Sequence, residues 1–384
     1  MEKMTYKSFF AFLLLLLLSA AGARAQELQD SLVDEDFVVA SVIVASPGDV
    51  LYSTVGHVGL HMECPTHHLD YVFSYESEDA SHKVLSFLAG NLKMGMFAIP
   101  FNEYLNLYRV EGRGVRQYKL NLPIGIKRNL WRVLDNHLQD GIYLPYDYIK
   151  RGCAHSVLEI LVESLDTVPI QYGAWPDSFS RLTRRELTGL RENENPWTWF
   201  FLNLICNGEI DDESSNEDKT IMPDDLIYVL QHATVQGRQL LSDDAEELLP
   251  LLHHPKAHWC TPLVVSLVLL VLTLLCFALK MPFMDYVLLA LQTILGLVTA
   301  YLIFFSSLVC TEWSWLIVPF NPLPLIFWKW RQKWCLPYAV VISVWVLVML
   351  LWPHTLTDKA YIVLALALIV SYIRIFRTVK TNKI

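Results

Sequence analysis

The chain has 384 residues, of which 53% are hydrophobic and 12% aromatic, so it is too apolar for a purely soluble protein and long enough for two domains. Its formal net charge is −9, and its basic residues form no concentrated run outside the ends of the apolar segments. A nucleic-acid partner is therefore not expected, because binding to phosphates needs a basic face.

The N-terminus has the pattern of a secretory signal. Two lysines precede an unbroken apolar run from Phe9 to Leu18, and residues 23–25 read Ala-Arg-Ala before Gln26. The run is short for a membrane span, and the small residues at 23 and 25 are typical of a cleavage site. We predict a signal peptide over 1–25, with a noncleaved anchor as the alternative. In either case residue 26 onward lies outside the cytoplasm.

Residues 26–255 have the pattern of an exported α+β domain. Strands are predicted over 37–44, 55–62, 69–75, 104–110 and 114–120, and helices over 81–92, 126–139 and 181–191 and from Cys153 onward. In the second strand His57, Gly59 and His61 share one face, and Val58 and Leu60 share the other. The acidic stretch 209–225 is poor in apolar residues and is predicted to be a mobile loop.

The candidate catalytic pair is Cys153 and His57. Gly152 and Cys153 open an apolar helical run. A thiol at a helix N-terminus faces unpaired N–H groups and the helix dipole, which favour the thiolate. Cys153 would attack a carbonyl and His57 would take and return the proton, while Ser74 or Asp70 on the next strand could orient the imidazole. The alternative is a structural cysteine and a core histidine.

The remaining cysteines and histidines give no metal motif. The chain has seven cysteines without CxxC spacing, so neither a zinc site nor a redox motif is predicted. Cys64 and Cys206 could form a disulfide in an oxidising compartment and leave Cys153 free. His57 and His61 lie four residues apart in a predicted strand, where their rings are too far apart to bind one zinc ion. We expect no metal and no cofactor.

From residue 256 to 384 the chain is predicted to be a membrane domain. Apolar segments of about bilayer length lie at 262–279, 286–305, 313–330, 336–352 and 361–376. Prolines interrupt the third segment. Counting it as a crossing places the basic residues of 329–333 and 374–383 inside, as the positive-inside rule requires. We therefore predict five spans, the third of them broken.

The site residues resemble those of a known superfamily. His57 on a strand, Tyr71-Val72-Phe73-Ser74 on the next strand and Gly152-Cys153-Ala154-His155 opening a helix are similar to the permuted papain-like fold of the lecithin:retinol acyltransferase and NlpC/P60 superfamily. Ser74 stands where those acyltransferases carry a second histidine. The resemblance implies a permuted papain-like exported domain, followed by the all-α transmembrane bundle, with Cys153, His57 and Ser74 as catalytic residues.

Motifs along nearly the whole chain resemble one bacterial family. They are Gly56-His57, Phe87-x-x-Gly90, the run Gly112 to Leu122, Tyr146-Asp147-Tyr148 and Asn321-Pro322-Leu323. Together with the signal sequence and the spans, they resemble the cysteine-dependent lipoprotein N-acyltransferases of the Lnb type. The resemblance implies a multi-pass inner-membrane enzyme that moves an acyl chain from a phospholipid to the N-terminal cysteine amine of a diacylglyceryl lipoprotein.

Two other functions stay open at this level. A membrane-anchored cysteine peptidase or amidase could cleave cell-wall peptide, although a wall hydrolase needs one anchor rather than a lipid-facing bundle. A periplasmic sensor domain without catalysis is the other alternative, and in it Cys153 would be structural.

Overall fold

The protein is described from a computed structural model. The structure describes residues 38–48, 53–78, 82–141, 143–147, 151–174, 183–189, 195–211, 220–252, 259–311, 313–352 and 358–381. The predicted signal peptide lies outside the described residues, and so do residues 212–219 of the acidic stretch.

A seven-stranded antiparallel sheet forms the centre of the exported half. Its strands are β1 (Val39–Ala45), β2 (His57–Cys64), β3 (Leu69–Ser77), β4 (Lys93–Pro100), β5 (Val115–Lys119), β6 (Leu144–Pro145) and β9 (Glu246–Leu249). The strand order is β6-β4-β3-β2-β1-β5-β9, and neighbouring strands pair antiparallel throughout. β7 (Thr234–Val235) and β8 (Arg238–Gln239) form a separate two-stranded ladder.

Helices cover both faces of this sheet. The helices described in this half are α1 (Val84–Leu88), α2 (Phe101–Glu111), α3 (Ile124–Asp140), α4 (Cys153–Leu165), α5 (Arg184–Gly189), α6 (Pro196–Ile205) and α7 (Pro223–Gln231). α3 and α4 pack on the face that carries Val58, Leu60 and Met62. α2 packs on the opposite face, against Val72. Side chains alternate along a strand, so His57 lies on the other face of β2 from Val58. This is the face that α2 covers.

The segment 104–110 is a helix, so its prediction as a strand was wrong. Tyr104, Leu105 and Tyr108 are buried against the sheet. Their spacing of one, three and four residues is that of one helical face, although aromatic residues are also common in strands. The strand β4 was not predicted at all. The predicted strands that correspond to β1, β2, β3 and β5 are confirmed within two residues at each end.

The end of the acidic stretch is packed rather than loose. Ile221 and Met222 are buried, and α7 begins at Pro223. Both apolar side chains belong to a cluster with Leu302 and Leu308 of the membrane half. For residues 220–225 the prediction of a mobile loop was therefore wrong. Ile221 and Met222 pack against residues that are distant in the sequence, which local composition could not predict.

The membrane half is built of apolar helices. They are α8 (Pro262–Ala278), α9 (Phe283–Phe305), the single turn α10 (Leu323–Ile326), α11 (Arg331–Leu351) and α12 (Lys359–Thr381). In the part of the chain that the structure describes, three helices are long and apolar enough to cross a membrane: Phe283–Phe305, Trp328–Leu351 and Lys359–Thr378. α8 is a shorter apolar helix. α12 is the central helix of the bundle and contacts α8, α9 and α11.

The proline-containing segment 313–330 forms only single helical turns. It runs antiparallel to α9. Asn321 lies against Gly296 in the middle of α9, where an added Cβ would come 2.4 Å from the Asn321 Cα. Further along, the ring centroid of Trp328 lies 6.1 Å from that of Tyr286, in the first turn of α9.

Polar side chains of the bundle bind the backbone of this irregular segment. Gln292 of α9 donates a hydrogen bond to the carbonyl of Pro319 at 2.6 Å, and the Tyr338 hydroxyl donates to the carbonyl of Val318 at 2.8 Å. Asn321 in turn donates to the Tyr338 hydroxyl at 2.6 Å. Backbone that leaves the helical pattern at membrane depth must find such partners inside the protein, since lipid offers none.

The two halves of the protein meet at a buried apolar cluster, which we call the junction. Its buried members are Ile205, Cys206, Ile210, Ile221, Met222, Leu302, Leu308 and Cys310. Beside it, Ser307 donates hydrogen bonds to the Ala89 carbonyl from its backbone N–H at 3.1 Å and from its hydroxyl at 2.9 Å. The neighbouring Gly90 has a φ of +75°, and a Cβ there would lie 2.6 Å from the Leu308 nitrogen. Only glycine fits this close approach.

Candidate active site

A glycine sets the start of the strand that carries the histidine. Gly56 has a φ of +84°, and a Cβ at this position would lie 2.8 Å from the carbonyl oxygen of Ala45. This left-handed residue ends a turn in which its N–H donates to the Ser53 carbonyl at 3.0 Å, and β2 then begins directly at His57. The imidazole of His57 therefore lies at the N-terminal end of β2.

Cys153 is the first residue of α4 and lies next to this histidine. Gly152 is its N-cap, with extended backbone. The thiol lies within hydrogen-bonding reach of the His57 imidazole and accepts a hydrogen bond from the backbone N–H of Val58. The structure thus brings together the two residues of the predicted pair. Such an arrangement can hold a thiolate beside an imidazolium.

A carboxylate that was not predicted, that of Glu76, faces the imidazole. Its Oε1 lies 3.0 Å from Nε2 of His57. The contact is an ion pair rather than an aligned hydrogen bond. In the ladder between β2 and β3, Leu60 pairs with Phe73, and continuing that register by three residues places His57 directly opposite Glu76.

The three groups shift one another's pKa values. Burial alone would lower the pKa of His57, but the Glu76 carboxylate, with smaller effects from Tyr108 and Cys153, raises it well above its usual value. Burial raises the pKa of the Cys153 thiol, yet the imidazole and the N–H of Val58 outweigh this and lower it. Burial likewise opposes the ionisation of Glu76, but the imidazole, the Ser74 hydroxyl and, to a smaller extent, the Arg113 guanidinium lower its pKa. All three shifts favour the charged forms.

Ser74 and Asp70, the two residues expected to orient the ring, make other contacts. The Ser74 hydroxyl donates to Oε1 of Glu76 at 2.8 Å, so it acts one step further from the imidazole than expected. Asp70 binds His61, with Oδ1 2.7 Å from Nε2. Glu76 lies two residues after Ser74 on the same face of β3. The predicted strand ended at Tyr75, one residue too early to include it.

The pair opens into a cavity of about 230 Å³. Besides His57, Glu76 and Cys153, its walls include Val55, Tyr75, Met94, Tyr108, Arg113, Tyr146 and Ile221. Ile221 is also a member of the junction, and Val55 packs against it. The same cluster contains Leu302 and Leu308 of the membrane half. The wall of the cavity is therefore continuous with the apolar surface at which the exported half meets the membrane half.

The second histidine of β2 is a satisfied core residue. Nδ1 of His61 lies 2.8 Å from the Gln117 side-chain oxygen, Nε2 binds Asp70, and the ring stacks on Phe101 with centroids 4.1 Å apart. Within the described ranges, no group of three or more His, Cys, Asp and Glu side chains could hold a metal ion.

Cys64 and Cys206, whose pairing the sequence left open, are not joined in the structure. Cys64 ends β2, at the opposite end of the strand from His57, and its thiol lies 3.5 Å from the Thr66 hydroxyl. Cys206 follows α6 and is buried in the junction, where its thiol lies within hydrogen-bonding reach of Cys310. The length of β2 thus separates Cys64 from the region of Cys206.

The fold and the site define a membrane protein whose exported α+β domain carries a thiol, an imidazole and a carboxylate in one cavity. Residues 25–184 match the Lnb N-terminal periplasmic domain, and residues 254–383 match the Lnb transmembrane domain. The chain belongs to the Lnb-type lipoprotein N-acyltransferase family, with a periplasmic domain and a transmembrane domain. No curated protein and no solved structure gives a significant match to the chain.

Proposed function

We propose that the protein transfers a fatty acyl chain from a membrane phospholipid to the N-terminal cysteine amine of diacylglyceryl lipoproteins, through a thioester on Cys153. One observation carries this proposal. The cavity that holds Cys153 and His57 shares Val55 and Ile221 with the apolar junction to the membrane half. A nucleophile in this position can receive an acyl chain directly from the bilayer.

In the first half of the reaction the Cys153 thiolate attacks the ester carbonyl of the phospholipid. The backbone N–H of Cys153, at the start of α4, is placed to stabilise the oxyanion. The bond to the glycerol oxygen breaks, and His57 gives that oxygen its proton, so a lysophospholipid leaves. In the second half the lipoprotein amine attacks the thioester, His57 takes the amine proton, and the thiolate is restored.

Glu76 has a positioning role in this scheme. Its carboxylate stabilises the imidazolium and holds the ring toward Cys153, as the third member of such a unit does. Ser74 supports Glu76 through the hydrogen bond between its hydroxyl and the carboxylate. Ser74 therefore belongs to the site through Glu76 and not through the imidazole.

The proposed reaction explains why the enzyme would need a membrane half. Both substrates are anchored in lipid, and moving an acyl chain into water costs about 0.8 kcal/mol per CH₂. An enzyme that stays at the bilayer surface avoids this cost. The apolar junction and the lipid-facing helices α8, α9 and α11, packed around α12, hold the periplasmic cavity at that surface in our proposal.

We propose a permuted papain-like fold for the periplasmic domain, 26–255. The order along the chain supports it: the strand with His57 comes before the helix that Cys153 begins, and that helix packs on an antiparallel sheet. For the membrane domain, 256–384, we propose five crossings. The antiparallel run of 313–330 beside α9 supports the third, and it returns the chain to the end of α9 at which Arg374 of α12 binds Asp285.

Expression of this chain in bacteria that lack their own lipoprotein N-acyltransferase tests the proposal. We expect diacylated lipoproteins to become triacylated, because the thioester would deliver one acyl chain to each free N-terminal amine. The measurement is the mass of the lipoprotein N-terminal peptide, which should increase by one fatty acyl group. The vector without the gene is the control.

Two outcomes would contradict the proposed reaction. If the peptide masses did not change although the protein was present in the membrane at normal level, lipoproteins would not be the acyl acceptors. Release of cell-wall peptides without any change in lipoprotein mass would instead identify a membrane-anchored cysteine peptidase or amidase.

A further inference from the structure

A buried arginine lies in the wall of the cavity. Arg113 is 3% exposed and occupies the turn between α2 and β5. Its Nε donates to the carbonyl of Ser46 at 2.6 Å, and Nη1 lies 3.0 Å from the Glu111 carboxylate. The guanidinium carbon lies 4.6 Å from the ring centroid of Tyr108. These contacts fix the guanidinium in one orientation.

One nitrogen of this guanidinium, Nη2, takes no part in these contacts. Nη2 is buried and has no hydrogen-bond partner among the described residues. A buried charged donor without an acceptor is destabilising. The nearby carboxylate of Glu76 is already engaged by His57 and Ser74. Arg113 lies in the wall of the cavity that also holds Cys153, so a ligand in this cavity could supply the missing acceptor.

We propose that Nη2 of Arg113 binds a phosphate oxygen of the phospholipid acyl donor. The inference rests on the proposed function and names the group by which the donor is recognised. The phosphodiester is attached to the same glycerol as the ester that Cys153 attacks, so a cation in the same small cavity can reach it. Guanidinium groups form strong, charge-assisted hydrogen bonds with phosphate.

This contact explains how the enzyme would separate its two lipid substrates. The lipoprotein acceptor also carries two acyl esters on a glycerol, but that glycerol is joined to cysteine sulfur and has no phosphate. Arg113 therefore selects the phospholipid as donor, because only that substrate offers an acceptor for Nη2. If the lipoprotein lipid occupied the donor position, the Arg113 charge would stay buried and unpaired. Binding of the lipoprotein lipid in this position is therefore disfavoured.

The test compares two acyl donors with the purified full-length protein in detergent. One donor is a phospholipid, and the other is a nitrophenyl ester of the same fatty acid, which has no phosphate. The rate of acyl addition to Cys153 is followed by the mass of the intact protein. With Arg113→Gln we expect the phospholipid rate to fall about 10- to 100-fold, as for one charge-assisted hydrogen bond. The nitrophenyl ester rate should fall much less, because that donor has no phosphate contact to lose.

Two further variants complete this comparison. Arg113→Lys keeps the charge but not the planar group, and should lose part of the phospholipid rate. Arg116→Gln removes an exposed arginine that pairs with Asp224 on the surface, and should change neither rate. An equal loss with both donors in Arg113→Gln would overturn the phosphate contact while the proposed function stands. A wild-type protein that takes acyl groups from neither donor, or only from the nitrophenyl ester, would overturn the proposed function itself.

An independent observation concerns the two cysteines of the junction. Cys206 comes from the periplasmic half and Cys310 from the turn after α9, and both are almost fully buried. Their thiols lie within hydrogen-bonding reach of each other. The backbone also joins them closely, since the Asn207 N–H donates to the Cys310 carbonyl at 2.5 Å. Arg185 holds the Cys206 carbonyl at 2.9 Å.

We infer that Cys206 and Cys310 form a disulfide in the oxidising periplasm. The two thiols lose two protons and two electrons to a disulfide-carrying thiol oxidant, whose own disulfide becomes two thiols, while one sulfur–sulfur bond forms here. The bond fastens the periplasmic domain to the membrane domain beside the catalytic cavity. It also withdraws Cys206 from any exchange with the catalytic thiol.

Alkylation of the denatured, non-reduced protein tests this disulfide. Protein isolated from cells that export it should carry the alkyl label on Cys64 and not on Cys206 or Cys310, and reduction should expose both. Cys206→Ala should leave Cys310 labelled without reduction and lower the melting temperature, whereas Cys64→Ala should not change the pattern. Labelling of both junction cysteines in the wild type before reduction would contradict the disulfide.

Discussion

Replacement of Cys153 by alanine is expected to abolish acyl transfer, and His57→Ala is expected to do nearly the same. Without the thiol no thioester forms, and without the imidazole the thiol at neutral pH is neither activated nor able to protonate the leaving oxygen. We expect each variant to lose at least about 10³-fold in rate, and the double variant to be no worse, because members of one catalytic unit are not additive. The measurement is the mass gain of the lipoprotein N-terminal peptide in cells.

Stability will not obscure this result. Cys153 begins a helix and is only partly buried, so Cys153→Ala should fold with a small loss of stability. Cys64→Ala is the matched control, since Cys64 is a buried thiol at the far end of β2 and outside the cavity. If Cys153→Ala still produced triacylated lipoprotein, the thioester mechanism would be refuted. If Cys64→Ala lost activity to the same degree, the loss would have to be assigned to folding.

Glu76→Gln should reduce the rate of acyl addition to Cys153 by about 10²-fold or more, because the imidazole loses its carboxylate partner. Ser74→Ala should cost only about fivefold, since it removes one hydrogen bond to Glu76 and leaves the carboxylate in place. A loss in Ser74→Ala that equals the loss in Glu76→Gln would contradict this order of roles. The rates are measured with the nitrophenyl ester donor and the purified protein.

The pH profile separates a role in catalysis from a role in folding. The reactive thiolate and imidazolium coexist above the lowered pKa of Cys153 and below the raised pKa of His57. The negative charge of Glu76 is the main influence that raises the pKa of His57. Its removal must lower that pKa, so the alkaline limb of the profile should move to lower pH in Glu76→Gln. An unchanged alkaline limb would show that Glu76 does not act on the imidazole.

The sequence by itself determined the parts of this protein that depend on local pattern. A thiol after a glycine at the start of an apolar run predicts a cysteine at a helix N-terminus, and α4 begins at Cys153. Period-two alternation described β2, with Val58 and Leu60 on the face that packs against α3 and α4 and with His57 and His61 on the other. Long apolar segments predicted the membrane half for the same reason, because hydrophobicity over about 20 residues is itself the signal.

The tertiary structure alone decided which distant groups meet. Glu76 reaches His57 through the register of two antiparallel strands, and register depends on which faces are buried across the sheet rather than on either strand. Cys206 meets Cys310 only because two domains pack. The orientation of Arg113 depends on the carbonyl of Ser46, 67 residues earlier in the chain, in addition to Tyr108 and Glu111 of the neighbouring α2. Such contacts leave no periodic trace, since each joins residues whose spacing along the chain is set by the whole fold.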